Sequence, residues 1–300
     1  MVSYAIGILF GILAGCSNFF GQILQKKAIN DLPAEQASNN LMKQLIHSRT
    51  WILGFIIMSV GSAVFMFLAQ LVVGAALIPG LMASGFIVLA IGSSMILKEK
   101  LTTKEFLAIF MLVLAVVLIS GSQLAIEADI SYFESSQFNL RIGTSSFVCL
   151  VLWLSLFYYG KRIQKFKSIP LAIGTGFPFV INNLWMGPFA ATFSPIFESS
   201  ATIIIWVVFG IGLVVTIVVN VLGISHYQYA LEAGNASLVV PLQQLPQQIA
   251  PILIYYFIYQ LNSPTNYSFI LLVVGIILIL IAGAILANRQ IALESESLQS

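Results

Sequence analysis

Residues 201–223 read ATIIIWVVFGIGLVVTIVVNVLG, a run of 23 residues without a charged side chain. A helix needs about 20 apolar residues to cross the ~30 Å hydrocarbon core of a bilayer. A helix that is apolar on every side must be buried, either inside a large protein core or in lipid. This stretch therefore predicts a membrane-spanning helix.

The rest of the chain has the same character. Of its 300 residues, 59% are hydrophobic and 8% are charged, and the mean hydropathy is +0.99. Soluble domains are about 45–50% apolar and about 25% charged, so a soluble protein of this composition would lack a polar coat. The net charge of +2 is small and the basic residues are scattered, which excludes a nucleic-acid partner.

Eight further stretches resemble the first one, and together they predict an all-α polytopic membrane protein. The nine predicted spans are 2–24, 51–73, 75–97, 104–122, 144–160, 169–193, 201–223, 235–258 and 267–287. Segment 26–50 carries too many charges to cross lipid. We therefore predict a loop there, with a surface helix over 34–49.

The basic residues predict the orientation of the spans. Nine spans place the termini on opposite sides of the membrane, and 12 of the 13 Lys and Arg residues then share one side, leaving only Arg141 on the other. Because positively charged loops stay in the cytoplasm, we expect an outside N-terminus and a cytoplasmic C-terminus in the cell (plasma) membrane. The expected regions are a first half over 1–122, an outside loop over 123–143, a second half over 144–289 and a disordered cytoplasmic tail over 290–300.

A weak internal repeat relates the two halves. Residues 61–121 and 210–283 each hold a helix, a tight turn, a proline near the start of the next helix, a polar link and a helix that ends at glycine; Pro79 matches Pro241. By the span count the two copies run in opposite directions. Inverted repeats of this kind are common in secondary transporters, with the site at their interface. Span one does not invert against span five, so the halves are only partly inverted and the first lacks a helix.

The residues of this repeat resemble a transporter family. The motifs GAALIP at 74–79 and LKEKL at 97–101 are similar to the first repeat of drug/metabolite transporters of the EamA kind. Ala230-Leu231, Ala236 and Val240-Pro241 resemble the second repeat. The resemblance covers nearly the whole chain at low identity, and it implies a membrane transporter.

Within that superfamily the nine-span arrangement resembles the NIPA-type group, whose members are described as magnesium transporters. The similarity to the first three helices of that group rests on Ser17, Phe19, Gly21, Lys26, Lys27, Trp51, Gly54, Gly61 and Pro79. Where the second helix of that group carries Gly-Glu, this chain has Gly61-Ser62. The carboxylate that would bind a divalent cation inside the membrane is therefore missing.

No catalytic constellation is visible in the sequence. The two histidines, His47 and His226, lie in separate predicted loops, and the two cysteines, Cys16 and Cys149, lie in apolar runs. Ser/His/Asp sets, metal-ligand spacings and phosphate-binding loops are missing from the sequence as well. We expect no enzymatic activity and no cofactor, and the sequence does not identify metal ligands.

Amides are the polar groups of the predicted span interiors, which contain no Asp, Glu, Lys or Arg. The densest cluster, in span eight, combines four glutamines with three prolines: Pro241, Gln243, Gln244, Pro246, Gln247, Gln248 and Pro251. At about 100° per residue, the glutamines lie within about 140° of each other and share one helix face. Each proline removes an intrahelical hydrogen bond, so we expect a kinked or interrupted helix. We predict that these amides bind solute; the alternative is that they join neighbouring helices.

Span six is the second candidate region. Glycines and prolines, including Pro178, break it up, and Asn182, Asn183 and Trp185 lie between the breaks. Trp185 is too central for an interfacial tryptophan. The remaining candidates are single polar residues that bind solute or join helices: Asn18, Gln22, Gln70 and Asn220.

The predicted function is transport of a small polar solute by alternating access through a neutral, amide-lined cavity. The residues favour an organic metabolite, whereas the resemblance favours Mg²⁺, which would keep its water shell against the amides. A membrane scaffold without transport activity is the alternative from another class. The expected partners are the lipid bilayer and the solute, and a homodimer is allowed.

Overall fold

The apolar runs of the sequence form long helices. The computed structural model describes residues 2–33, 41–73, 78–124, 129–163 and 165–297. Within these ranges most residues are helical and none lies in a β-strand. Seven helical segments are long and apolar enough to cross a membrane: Tyr4–Asn30, Arg49–Val73, Thr103–Gly121, Ser136–Arg162, Ser168–Phe197, Ile203–Ala233 and Ser268–Glu296. The architecture is that of an all-α polytopic membrane protein.

Some of these segments contain more than one helix, so the helices are labelled individually. They are α1 (Val2–Asn30), α2 (Leu41–Leu45), α3 (Arg49–Ile56), α4 (Ser62–Val73), α5 (Ile78–Met82), α6 (Gly85–Ile96), α7 (Thr103–Gly121), α8 (Ser136–Arg162), α9 (Ser168–Gly174), α10 (Phe177–Ala191), α11 (Phe193–Phe197), α12 (Ile203–Ala233), α13 (Ala236–Leu253) and α14 (Ser268–Ser297). A π-helical turn, Ile57–Gly61, joins α3 to α4, and a second one, Ile254–Ile258, extends α13.

Two of the nine predicted spans are not among the seven apolar segments. Span 75–97 corresponds to α5 and α6, and its apolar part, Gly80–Ile96, is shorter than the others. Residues 74–77, at its predicted tight turn, lie outside the described residues. Span 235–258 corresponds to α13 and its π-helical turn, in which the glutamines lower the hydropathy.

The C-terminal segment differs from its prediction. We expected a disordered tail from Gln290, but α14 continues to Ser297. Gln290 Nε2 donates to Glu294 Oε1 at 3.1 Å, and the Ser168 hydroxyl donates to the same carboxylate. These bonds hold the last turns of α14 against the start of α9, which explains why a polar segment remains helical.

The two predicted loops, 26–50 and 123–143, both contain helical residues. In the predicted outside loop 123–143, Ser135 accepts the backbone N–H of Phe138 at 3.4 Å and caps α8, which therefore begins at Ser136. Of the surface helix predicted over 34–49, the structure has α2 and the first residue of α3, and residues 34–40 lie outside the described part. At the start of α7, the backbone N–H of Thr102 donates to the side chain of Glu105.

Glycines bring α1 into backbone contact with its neighbours. A Cβ atom on Gly15 would lie 2.2 Å from the carbonyl oxygen of Met82, and one on Gly85 would lie 2.3 Å from that of Gly15. Farther along α1, a Cβ on Gly21 would lie 2.4 Å from the carbonyl oxygen of Gly54. Small residues at membrane helix contacts allow such close approach. Glycines therefore fix α1 between α3 and the α5–α6 pair.

We expect Gly15→Ala to lower the melting temperature of the detergent-solubilised protein. The added methyl group would enter the Met82 backbone, and overpacking of this kind costs about 1–3 kcal/mol. Gly210→Ala is the matched control, because no heavy atom lies within 4 Å of a Cβ built on Gly210. At Gly210 the substitution should not lower the melting temperature, because alanine stabilises a helix by about 1 kcal/mol relative to glycine. Equal melting temperatures for the two variants would contradict the close packing of α1.

The helix α13 occupies the middle of the bundle. It contacts α1, α6, α7, α9, α10, α12 and α14. Around its first turns, Leu238 and Leu242 share one apolar core with Leu89 of α6 and Leu231 of α12. The polar residues of α13 are thereby held at the centre of the protein.

Candidate functional site

The middle of α13 is more accessible than its first turns. Residues 236–243 are buried, whereas residues 244–249 are partly exposed on every side of the helix. In the last turn Ala250 and Ile252 are buried, whereas Pro251 and Leu253 are exposed. Gln244, Gln247 and Gln248 lie in these accessible turns.

The four glutamines of α13 are not used to join helices. Gln243 is buried and the other three, Gln244, Gln247 and Gln248, are partly exposed. Within the described residues, none of the four side chains makes a hydrogen bond, and none of their amide atoms is among the buried polar atoms that lack a partner. Their donors and acceptors can therefore reach water or a solute.

The prolines of α13 lie inside an uninterrupted helix. We expected breaks at Pro241, Pro246 and Pro251, but α13 continues through all three. A proline removes one N–H, and neighbouring helices can hold the backbone helical despite that loss. The carbonyl groups four residues earlier, those of Ser237, Leu242 and Gln247, then lack their helical donors.

The break predicted in span six is present. α9 ends at Gly174 and α10 begins at Phe177, so Pro178 lies in the first turn of α10, where its missing N–H is not needed. Pro79 lies at the start of α5 in the same way. A Cβ on Gly176 would lie 2.4 Å from the carbonyl oxygen of Gln243, so the break in span six directly contacts α13.

A cavity of about 670 Å³ lies on the other side of α13. The residues of α13 that line it are Leu245, Pro246, Ile249, Ala250 and Leu253. At about 100° per residue, these side chains lie roughly 200–340° around the helix from Gln243, away from the glutamine face. This cavity is apolar, so it is not the amide-lined cavity that the sequence predicts.

Two other amides of the predicted second half, Asn182 and Asn220, are paired with each other. Asn220 Nδ2 donates to Asn182 Oδ1 at 2.8 Å and to the carbonyl oxygen of Thr216 at 2.7 Å. Trp185 is buried, and its Nε1 donates to Ser146 Oγ at 3.0 Å. These bonds join α10 to α12 and α8. Asn183 is exposed and makes no hydrogen bond with a described residue.

Two polar candidates of α1 are paired as well. Gln22 Nε2 donates to Asn18 Oδ1 at 2.7 Å, and the hydroxyl of Tyr227 donates to Gln22 Oε1 at 2.7 Å. The buried Gln22 therefore connects α1 to α12. Gln70 is exposed on α4 and has no partner in the part of the chain that the structure describes.

A carboxylate from the first half caps the glutamine helix. The two side-chain oxygens of Glu99 accept the backbone N–H groups of Ala236 at 2.7 Å and Ser237 at 2.9 Å. Glu99 is 9% exposed, and a carboxylate at a helix N-terminus is stabilised by the helix dipole. Lys26 Nζ donates to the carbonyl oxygen of Leu231 beside it. We call this arrangement the Glu99 cap.

A second ionic contact joins the halves near the same helix ends. Arg289 Nε on α14 lies 3.2 Å from Glu105 Oε1 on α7, and the Glu105 side chain is 1% exposed.

Groups of three His, Cys, Asp or Glu side chains that could hold a metal ion do not occur among the described residues. Comparisons with protein-family models, curated proteins and solved structures found no match. The family resemblance therefore rests on the sequence motifs.

One buried polar cluster was missed by the sequence analysis. Gln228 Nε2 donates to Gln25 Oε1 at 2.8 Å, and Trp51 Nε1 donates to Gln228 Oε1 at 3.1 Å. Both glutamines lie beyond the predicted ends of their spans, so the sequence did not predict them as polar residues of the bundle interior. The spacing of Asn18, Gln22 and Gln25, at i, i+4 and i+7, is the signal that could have revealed this polar face of α1.

Proposed function

We propose that this protein is a transporter of the drug/metabolite-transporter type that moves a small polar solute by alternating access. Gln243, Gln244, Gln247 and Gln248 supply hydrogen bonds to the solute, and Asn183 is the further candidate ligand. The observation that carries the proposal is the contrast between these four amides, which are unpaired within the described residues, and the paired amides of Asn182, Asn220 and Gln22. An accessible amide that is not bonded within the described residues keeps its donors and acceptors available for a solute.

We further infer nine spans in two partly inverted halves, with α5–α6 and α13 as the third and eighth spans. The packing is consistent with this repeat. α1 contacts α4 and α6, and the corresponding helix α10 contacts α12 and α13. α7 and α14, which correspond to each other, pack together extensively. α8 is the helix without a counterpart.

The bonds between the halves suggest which end of the proposed transporter is closed. The Glu99 cap, the Gln25–Gln228 bond and the Glu105–Arg289 pair all lie where the helix ends carry most of the Lys and Arg residues. By the positive-inside rule this is the cytoplasmic end of a cell-membrane protein with an outside N-terminus. The proposed state is therefore closed to the cytoplasm.

A neutral site suits an uncharged or zwitterionic metabolite better than a bare cation. The position where NIPA-type transporters carry glutamate is Ser62, which is buried. Hydrated Mg²⁺ remains the alternative cargo, because amides can bind its water shell. A scaffold without transport activity would not require unpaired amides in a central helix.

Flux into proteoliposomes tests the proposed function. The purified protein is inserted into vesicles that contain a trapped Mg²⁺ indicator, and the same vesicles are tested for uptake of radiolabelled neutral and zwitterionic solutes. We expect saturable, protein-dependent uptake of an organic solute, with empty liposomes as the control. Saturable Mg²⁺ flux would instead assign the alternative cargo. Flux of neither class by correctly inserted protein would contradict transport.

A further inference from the structure

The apolar cavity behind α13 has one wall that ends at an arginine. Its lining includes Thr144, Ser145, Val148, Cys149 and Leu152 of α8. At about 100° per residue, these positions lie within about 80° of the direction of Arg141, one turn before them. The α8 wall of this cavity therefore shares one helix face with Arg141, which lies one turn closer to the start of α8.

The side chain of Arg141 is not neutralised by any residue that the structure describes. It makes no ion pair with any described residue, and its buried Nε has no hydrogen-bond partner. It is also the one basic residue that the predicted topology places on its side of the membrane. Side chains on a helix point back toward its N-terminus, which directs this guanidinium toward the bilayer surface. An unpaired cation in that position attracts an anion.

The length of the cavity wall matches one leaflet of a bilayer. Eleven residues separate Arg141 from Leu152, which is about 16 Å along the helix axis. One leaflet contributes about half of the ~30 Å hydrocarbon core. A group bound at Arg141 could therefore extend an apolar chain to the middle of the membrane along this wall. The volume of about 670 Å³ is typical of a site for one small amphiphile.

We propose that this cavity binds a membrane phospholipid, with its phosphate on Arg141 and one acyl chain against α8, α10 and α13. The phosphate provides the negative charge that Arg141 lacks, and the acyl chain covers the apolar wall. The site requires only that the protein is embedded in a bilayer, so it does not depend on the proposed transport function.

Native mass spectrometry of the purified protein tests this site, with phosphatidylglycerol in mixed micelles as the probe. We expect one bound lipid per chain in the wild type. Arg141→Gln should weaken binding by about tenfold or more, as the loss of a charge-assisted hydrogen bond implies. Arg162→Gln is the matched control, since Arg162 is exposed at the other end of α8. It should bind like the wild type.

Filling the cavity gives a second, independent variant. Cys149→Phe keeps Arg141 but occupies the space of the acyl chain, so it should also weaken binding while the protein stays monodisperse. If Cys149→Phe does not fold, the comparison of Arg141→Gln with Arg162→Gln still decides the proposal. Equal lipid binding by the two arginine variants, a cavity that retains detergent alone, or a lipid-free dimer that covers the groove would overturn it.

Discussion

Glu99→Ala is expected to cause the largest loss of stability of any single side-chain truncation near the start of α13. The substitution leaves the N–H groups of Ala236 and Ser237 buried without acceptors. Each unsatisfied group costs about 1–3 kcal/mol. The loss also removes a negative charge that lies near the buried ammonium of Lys26. We expect a clear decrease in the melting temperature in detergent and a loss of uptake.

Two comparisons make the Glu99 prediction specific. Glu99→Gln keeps one acceptor for the two N–H groups, so its melting temperature should lie between those of the wild type and Glu99→Ala. Glu134→Ala removes an exposed carboxylate and should leave the melting temperature unchanged. If Glu99→Ala melts at the same temperature as Glu134→Ala, the cap does not hold the two halves together.

The second large effect is expected for the double variant Gln244→Ala, Gln248→Ala. Both amides are accessible and unpaired within the described residues, so their removal should leave the melting temperature nearly unchanged. Each lost hydrogen bond to a solute is worth about 0.5–1.5 kcal/mol. Uptake of the solute identified in proteoliposomes should therefore decrease by roughly tenfold to a hundredfold.

Gln22→Ala is the control for the double glutamine variant, because we expect it to change stability and not solute binding. Gln22 is buried and accepts the hydroxyl of Tyr227, which would lose its partner. This variant should lower the melting temperature, whereas any remaining folded protein should bind solute with wild-type affinity. A double glutamine variant that unfolds early, or one that transports normally, would argue against a solute site on α13.

The membrane fold was predictable because it depends on long apolar runs, which are a local property of the sequence. The run at 201–223 lies within α12, and the break before Pro178 also appears where it was expected. Helix ends were less predictable. α14 extends past Gln290 because of a contact with Ser168, which is distant in the sequence. Propensity alone gives no information about such a contact.

The candidate site was predictable only as a set of polar residues. The sequence placed Asn182, Gln22 and Gln244 in apolar spans, but it could not indicate which of them have partners. The structure pairs Asn182 with Asn220 and Gln22 with Tyr227, and leaves Gln244 unpaired within the described residues. This distinction arises from helix packing across the bundle, so it cannot be predicted from a single sequence.

The prolines of α13 leave main-chain acceptors inside the helix, and of the three carbonyl groups only that of Gln247 belongs to the partly exposed turns. Successive prolines are five residues apart, so the carbonyl groups left without donors are rotated by about 140° from one to the next. Acceptors of this kind are identical in every side-chain variant, and an alanine scan of the glutamines would not detect them. In the proposed transporter, the Gln247 carbonyl group would therefore add a solute contact that is encoded by Pro251 rather than by a glutamine side chain.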